Sequence, residues 1–212
     1  MPPVVREKLA GGAPRDELVL SVMSRPIAWV VSRSAAGAVN AAPFSFFNVL
    51  AGDPPTVGIS IGSRAPGQPK DTLANIRETG EFVVNLVSRD NAEAMNKTAT
   101  EFPPGVDELA AAGLTRLPSV KVTPPRIAES PVAFECKLFQ AIPLGPSNTL
   151  VLGHVVAMHV RDDAVLDALK YYIDTPKLDL VGRMHGGGGY TTTRDQFHIA
   201  RIPLEDWDDT AG

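Results

Sequence analysis

The sequence predicts a mainly β protein, an antiparallel barrel with short helices in its connections. Three observations lead there. Five segments (residues 27–33, 57–61, 82–87, 132–142 and 150–160) are rich in β-branched and aromatic residues, and 197–202 reads as a sixth. Helical signals are few and short, so the strands do not alternate with regular crossover helices as a parallel sheet requires. Finally, 18 glycines and 19 prolines among 212 residues imply many turns and interrupted strands.

Taken in order, residues 1–19 read as an N-terminal arm. Residues 27–33 (IAWVVSR) form a continuous apolar run, the mark of a strand buried on both faces, with Trp29 in the core. A turn follows at Ala35-Ala36-Gly37, and the segment 40–45 (NAAPFS) reads by itself as a loop with an Asn turn. A helix begins at Asp71, places Leu73 and Ile76 on one face, and stops at Gly80. Further helices are expected over 91–100 and over 162–173, the latter with Leu166, Leu169 and Tyr172 or Ile173 inward. The turn-rich stretch 102–125 is expected to pack over the barrel as a long excursion. Residues 206–212 form an acidic tail in which Trp207 either covers a groove on a partner subunit or stays unordered.

Composition excludes several functional classes. Hydrophobic residues at 44% and charged residues at 21% are the ordinary globular mix, and a chain this long buries enough surface to need no staple. The net charge of −4 argues against a nucleic-acid binder. One cysteine, Cys136, permits neither an internal disulfide nor a cysteine zinc site, and its alternating neighbourhood reads as a buried strand. His154 and His159, five apart on one strand, are expected on opposite faces and so are no ligand pair. No apolar run of 18 residues and no secretion signal occur, so a cytoplasmic protein without a membrane span is expected. Gly58-Ile59-Ser60-Ile61-Gly62 matches a nucleophile elbow, but Ser60 lies inside strand alternation and Pro66-Gly67 follows where a helix must start. The glycine run 186–189 lacks the strand-turn-helix setting of a dinucleotide fingerprint. No catalytic side chain and no metal site are assigned.

What remains is an anion site. Arg64, Lys70 and the Thr72 hydroxyl converge on the expected N-terminus of the 71–80 helix, where free N–H groups favour a phosphate. Asp71 opposes an anion unless its carboxylate caps its own helix. The small residues of 40–45 leave backbone groups uncovered, so a flat ligand can lie against them.

Taken together, RPIAWVVS (25–32), GAVNAAPFS (37–45), DPPTVGISI (53–61), KDTLANI (70–76) and EFVVNL (81–86) resemble the flavin reductase-like, FMN-binding split-barrel family, which includes flavoredoxin. The likeness spans residues 20–205, and VGRMHGGGGY (181–190) departs from it by extra glycines and His185. It implies a six-stranded Greek-key split barrel, a homodimer, and FMN in a groove at the subunit interface. On this sequence Asn40, Ala41, Ala42 and Ser45 would contact the isoalloxazine or ribityl chain, and Ser60, Lys70 and Thr72, with Arg64, the phosphate. Arg183 and Tyr190 would lie at the ring or its rim. NADH or NADPH would dock over the exposed ring face and deliver hydride, with N–H groups around Ala41 and Ala42 on the ring edge. Three readings follow in order: an NAD(P)H-dependent flavin reductase serving a monooxygenase, a flavoredoxin-like carrier exchanging electrons with proteins, and a non-redox ligand-binding barrel.

Overall fold

The computed structural model describes residues 22, 24–65, 67–103, 105–184, 187–204 and 207. The expected arm, His185, Gly186 and all of the tail except Trp207 lie outside the described residues.

Strand β1 (Ala28–Arg33) illustrates how the sheet is built. Ala28 and Val30 point to one apolar cluster and Trp29 and Val31 to another, so both faces of the strand are covered. The Trp29 indole N–H finds its partner in the Thr98 hydroxyl at 2.9 Å. After the turn, where Gly37 takes the positive φ that the reversal needs, β2 (Val39–Phe44) returns beside β1. The segment read as a loop is thus a strand, with Ala41 and Ala42 paired to Val31 and Val30. A further strand, β3 (Phe47–Gly52), carries few β-forming signals on its exposed half and was not anticipated.

Then come β4 (Pro55–Ala65), helix α1 (Asp71–Thr79), β5 (Glu81–Leu86), helices α2 (Ala92–Lys97) and α3 (Glu108–Ala111), and the long hairpin of β6 (Val132–Pro143) and β7 (Asn148–Val160). The order in the sheet is β2-β1-β5-β6-β7-β4-β3, every ladder antiparallel, with Gln68–Pro69 adding a short eighth strand beside β4. The implied six strands are therefore exceeded. The two edge strands, β2 and β3, are separated in the chain only by Ser45 and Phe46, so the sheet must curl until its edges nearly meet. They do not pair, which leaves the barrel split along that line.

Inside the curl lie Phe47, Ile59, Ile61, Phe82, Val84, Cys136 and Val151, and α1 plugs one end with Leu73 and Ile76. Gly80 ends this helix in the left-handed region, its N–H on the Ile76 carbonyl. Cys136 is fully buried, and burial pushes its thiol pKa well up. On the outer face, Met95, Leu109, Val122 and Ile127 cover Trp29 and Val83. The 102–125 stretch packs over the barrel as expected, pinned where Glu135 accepts the N–H groups of Val120 and Lys121.

Three expectations are corrected. Residues 162–173 form not a helix but a short 3-10 turn and a hairpin, Val165–Asp167 with Tyr172–Ile173. The Asp167 carboxylate captures the N–H groups of Leu169 and Lys170, and Leu169 is 93% exposed, so no apolar helix face exists there. Residues 197–202 form no strand: Phe197 is 88% exposed and meets no ladder partner among the described residues. His154 and His159 share a face, because Val156 is bulged and shifts the register between Cys136↔Val155 and Glu135↔Ala157. They still do not act as a pair, since His154 lies against Thr56 and Phe139 and His159 bonds Glu135 at 2.6 Å. No helix among the described residues is long and apolar enough to cross a membrane.

Candidate functional site

Helix α1 opens without a cap. Its N-cap is Lys70, not Asp71, and makes no side-chain cap bond, and among the described residues no side chain accepts a bond from the first-turn N–H groups. The Asp71 carboxylate points instead to Arg64, 2.6 Å away. This corrects the capping role expected of Asp71. An acidic residue at the first helical position is usually held there by the helix dipole, but the neighbouring guanidinium offers a closer partner. The N–H groups of the first turn therefore remain open to an anion.

Those groups face a cleft of about 140 Å³ lined by Asn40, Ala42, Pro43, Arg64, Lys70, Asp71 and Thr72 on one side. The opposite wall is Thr98 to Phe102, with Glu108. Asn40 and Thr72 are both buried and bonded to each other, the Asn40 amide donating to the Thr72 hydroxyl at 3.1 Å. That bond locks the strand of the cleft to the helix of the cleft. Lys70 extends its ammonium 6.0 Å above the Phe44 ring, leaving the charge at the cleft.

A second cavity of about 270 Å³ adjoins the first, sharing Pro43 and Ala99, and is lined by Phe44, Ser45, Met95, Arg183 and Tyr190. Here Arg183 stacks on the Tyr190 ring at 4.8 Å. Arg25 lies close by, bonded to the Met184 carbonyl at 2.9 Å and to the Ser45 hydroxyl at 3.4 Å. Burial and the neighbouring Arg183 both lower the Arg25 pKa. The two cavities form one groove, cationic and helix-capped at one end, apolar and arginine-rimmed at the other. That is the shape and polarity for a phosphorylated molecule with a flat head.

Eight of the predicted site residues, Asn40, Ala42, Ser45, Arg64, Lys70, Thr72, Arg183 and Tyr190, line this groove, and Asp71 does so while holding Arg64. Ala41 does not. It is fully buried in the outer cluster, and its N–H donates to Glu108 at 3.3 Å, so the expected bond from Ala41 to a ring edge is lost. Ser60 does not line the groove either. It alternates with Ile59 and Ile61, which point inward, and its N–H donates to the Phe46 carbonyl at 2.8 Å.

Sequence reasoning missed Arg25 and Glu108. Arg25 stands within the string RPIAWVVS but is brought to the rim by the pairing of Arg25–Pro26 with Val181–Arg183. Glu108 lies in a segment with no motif. Burial, only partly offset by bonds to backbone N–H groups, raises its pKa.

A model of the flavin reductase-like domain matches residues 20–176. An uncharacterized protein of Deinococcus radiodurans is 44% identical over 194 residues, 90% of this chain and 85% of the relative. Among solved structures, the Pseudomonas fluorescens 2-nitrobenzoate 2-nitroreductase NbaA is 34% identical with a TM-score of 0.82, covering 93% of both chains. Component B of the Bacillus cereus nitrilotriacetate monooxygenase is 33% identical, also with a TM-score of 0.82, over 94% of this chain and 96% of that one. With the domain match covering most of the chain and the split barrel shared, the protein belongs to the flavin reductase-like family of flavoprotein oxidoreductases.

Proposed function

We propose that the protein binds FMN in this groove and reduces it with NADH or NADPH, handing reduced flavin to an oxygenase component or to a small acceptor. The observation that carries the reading is the uncapped N-terminus of α1, opening with Lys70, Arg64 and the Thr72 hydroxyl onto one cleft. Charge-assisted bonds from such groups contribute about 1.5–3 kcal/mol each, enough to hold a phosphate. Lys70, Thr72, Arg64 and the first-turn N–H groups would hold the phosphate, with Asn40 setting the Thr72 hydroxyl. Ala42, Pro43, Phe44 and Ser45 would form the wall for the ring, and Arg183 with Tyr190 its rim. Bound FMN supplies the redox chemistry, which is why the site needs no acid–base pair. The cationic rim favours a ring that gains negative charge on reduction.

The bond between the Ala41 N–H and Glu108 orients the carboxylate across the cleft from the helix. Asp71 and Glu108 thereby flank the cations of the cleft.

The relatives also bear on assembly. Component B of a monooxygenase is by its name one part of a larger system, and a role beside an oxygenase component is proposed here. Val49, Leu50, Phe139 and Met158 are exposed apolar side chains of the sheet, and a homodimer that covers some of them is proposed.

The test is an anaerobic spectral titration. Flavin bands that appear with FMN and bleach with NADH or NADPH support the reductase. Bands that persist with both nucleotides yet bleach with dithionite favour electron exchange with proteins, and no binding of FMN overturns the proposal.

A further inference from the structure

Two apolar features of the chain face solvent. The first is the segment after Thr192. Its root is fixed, because the Thr193 N–H donates to the Leu180 carbonyl at 3.3 Å and Arg194 grips the Asp179 carboxylate with bonds of 2.8 and 2.6 Å. From Thr193 to Leu204 every residue is exposed, so the segment is not packed into its own barrel. Phe197, Ile199, Ile202 and Leu204 are 61–88% exposed, and Trp207 follows them at 62%.

The second feature is half of the outer face of the sheet. Helices α2 and α3 and the 102–125 stretch cover this side at Trp29 and Val83. Farther along, Val57, Ile59 and Ile61 of β4 point into the barrel, so Gly58 and Ser60 point outward. Their ladder partners on β7, Leu152 and Leu150, share that outward side. A Cβ on Gly58 would meet the side chains of Leu50 and Leu150, which places Leu50 of β3 over the same spot. The Phe139 ring lies on His154, the next outward residue of β7, with ring centroids 4.5 Å apart. Leu150 and Leu152 are half-buried, whereas Leu50 and Phe139 are more than half exposed.

We infer that the segment from Thr193 onward is an exchanged arm: it lies across the open face of a second copy, over Leu50, Leu150, Leu152 and Phe139, and that copy returns its own arm. The inference rests on the homodimer proposed above and not on the flavin chemistry. Two considerations select a second copy as the occupant. Arm and face occur once each on every chain, so a two-fold pair covers both features of both chains at once. The area also suffices. Phe197 and Trp207 each bury about 150–250 Å² when covered, so two arms laid on two faces reach the roughly 1,200–2,000 Å² that a stable interface needs.

The test follows the oligomeric state of the full chain by analytical ultracentrifugation and locates the arm by photocrosslinking. The wild type should be a dimer. The triple variant Phe197→Ser/Ile199→Ser/Leu204→Ser should raise the dimer dissociation constant by about a hundredfold or more, with an unchanged circular dichroism spectrum, since these side chains face solvent within their own chain. Leu50→Ser/Phe139→Ser should weaken the dimer in the same way. For the crosslink, benzophenone maleimide on Ile199→Cys labels one site, because the native Cys136 is fully buried. Mixed with unmodified chain carrying heavy isotopes and then illuminated, the light arm should join heavy peptides from 47–52 or 148–154. Joining confined to the light chain's own peptides, or to peptides away from this face, overturns the inference. A triple variant that dimerises as the wild type does also overturns it, and the homodimer then stands without an exchanged arm. A wild type that stays monomeric at every concentration overturns both.

Discussion

Replacing Glu135 with glutamine removes the charge of a buried acid that binds two backbone N–H groups and a histidine. Its carboxylate is fully buried and accepts the N–H groups of Val120 at 2.9 Å and Lys121 at 2.6 Å, together with the His159 Nε2 at 2.6 Å. Glutamine keeps one acceptor oxygen and sets an NH2 group where the other stood, so at least one backbone donor loses its partner. A lost charge-assisted bond amounts to about 1.5–3 kcal/mol, and an orphaned buried N–H costs about 1–3 more, less whatever the remaining oxygen recovers. We expect Glu135→Gln to lower stability at pH 7 by about 2–4 kcal/mol. The pH dependence gives a sharper signature. Burial acts to raise the Glu135 pKa, but the bonds from Val120, Lys121 and His159 together outweigh it and hold the carboxyl below its ordinary value. A folded pKa below the unfolded one, near 4.3, gives stability that is complete above that value and is lost as pH falls through the folded pKa. The gap between wild type and variant should therefore close on acidification below about pH 4.5. Urea unfolding followed by tryptophan fluorescence across pH 3–8 measures it, and hydrogen exchange at Val120 and Lys121 should quicken in the variant. A gap under about 0.5 kcal/mol at pH 7, or one equally wide at pH 3.5, would refute the account.

Other expectations concern the groove and the barrel. Lys70→Ala with Thr72→Val should weaken FMN binding by about 2–4 kcal/mol in a fluorescence titration, and unchanged affinity removes the phosphate assignment. Burial raises the Glu108 pKa, and a phosphate bound across the cleft would push it further the same way. Binding of FMN should then take up protons and tighten as pH falls, more in the wild type than in Glu108→Gln; identical pH profiles for the two contradict this. A Cβ on Gly153 would meet the Phe82 ring inside the barrel, so Gly153→Ala should lower stability by about 1–3 kcal/mol and reduce Tm by several degrees. A melt within a degree of wild type means the barrel relaxes around it.

Much of this was legible in the sequence where a local signal and the fold agreed. The run IAWVVSR is apolar on both faces because the strand lies between two clusters, and the periodicity of residues 71–80 is that of a helix plugging a barrel. That Arg64, Lys70 and Thr72 share one cleft was readable because they lie within nine residues of chain. Failures arose where long-range structure overrode local pattern. Residues 40–45 are small and polar, yet pairing with β1 makes them a strand. Apolar spacing in 162–173 suits a helix, but Asp167 diverts the backbone into a turn. Arg25 and Glu108 reach the site only through tertiary pairing, and no spacing in the chain announces either.

The short link at Ser45 and Phe46 has a consequence for how errors in the sheet are corrected. In an open sheet a strand that slips by one residue displaces only what lies beyond it, and the fault ends at a free edge. Here the two edges are chain neighbours, so the shifts of all six ladders must sum to a value that two residues can span. The hairpins β1–β2, β3–β4 and β6–β7 are local, whereas β4 and β7 bring Thr56 to His154, 98 residues away. Late ladders of such long range make folding slow, on the scale of milliseconds to seconds. The link proofreads them: a mispaired β4 or β7 moves the two sheet edges farther apart than Ser45 and Phe46 can span, so only the true register lets Phe44 and Phe47 enter the barrel together.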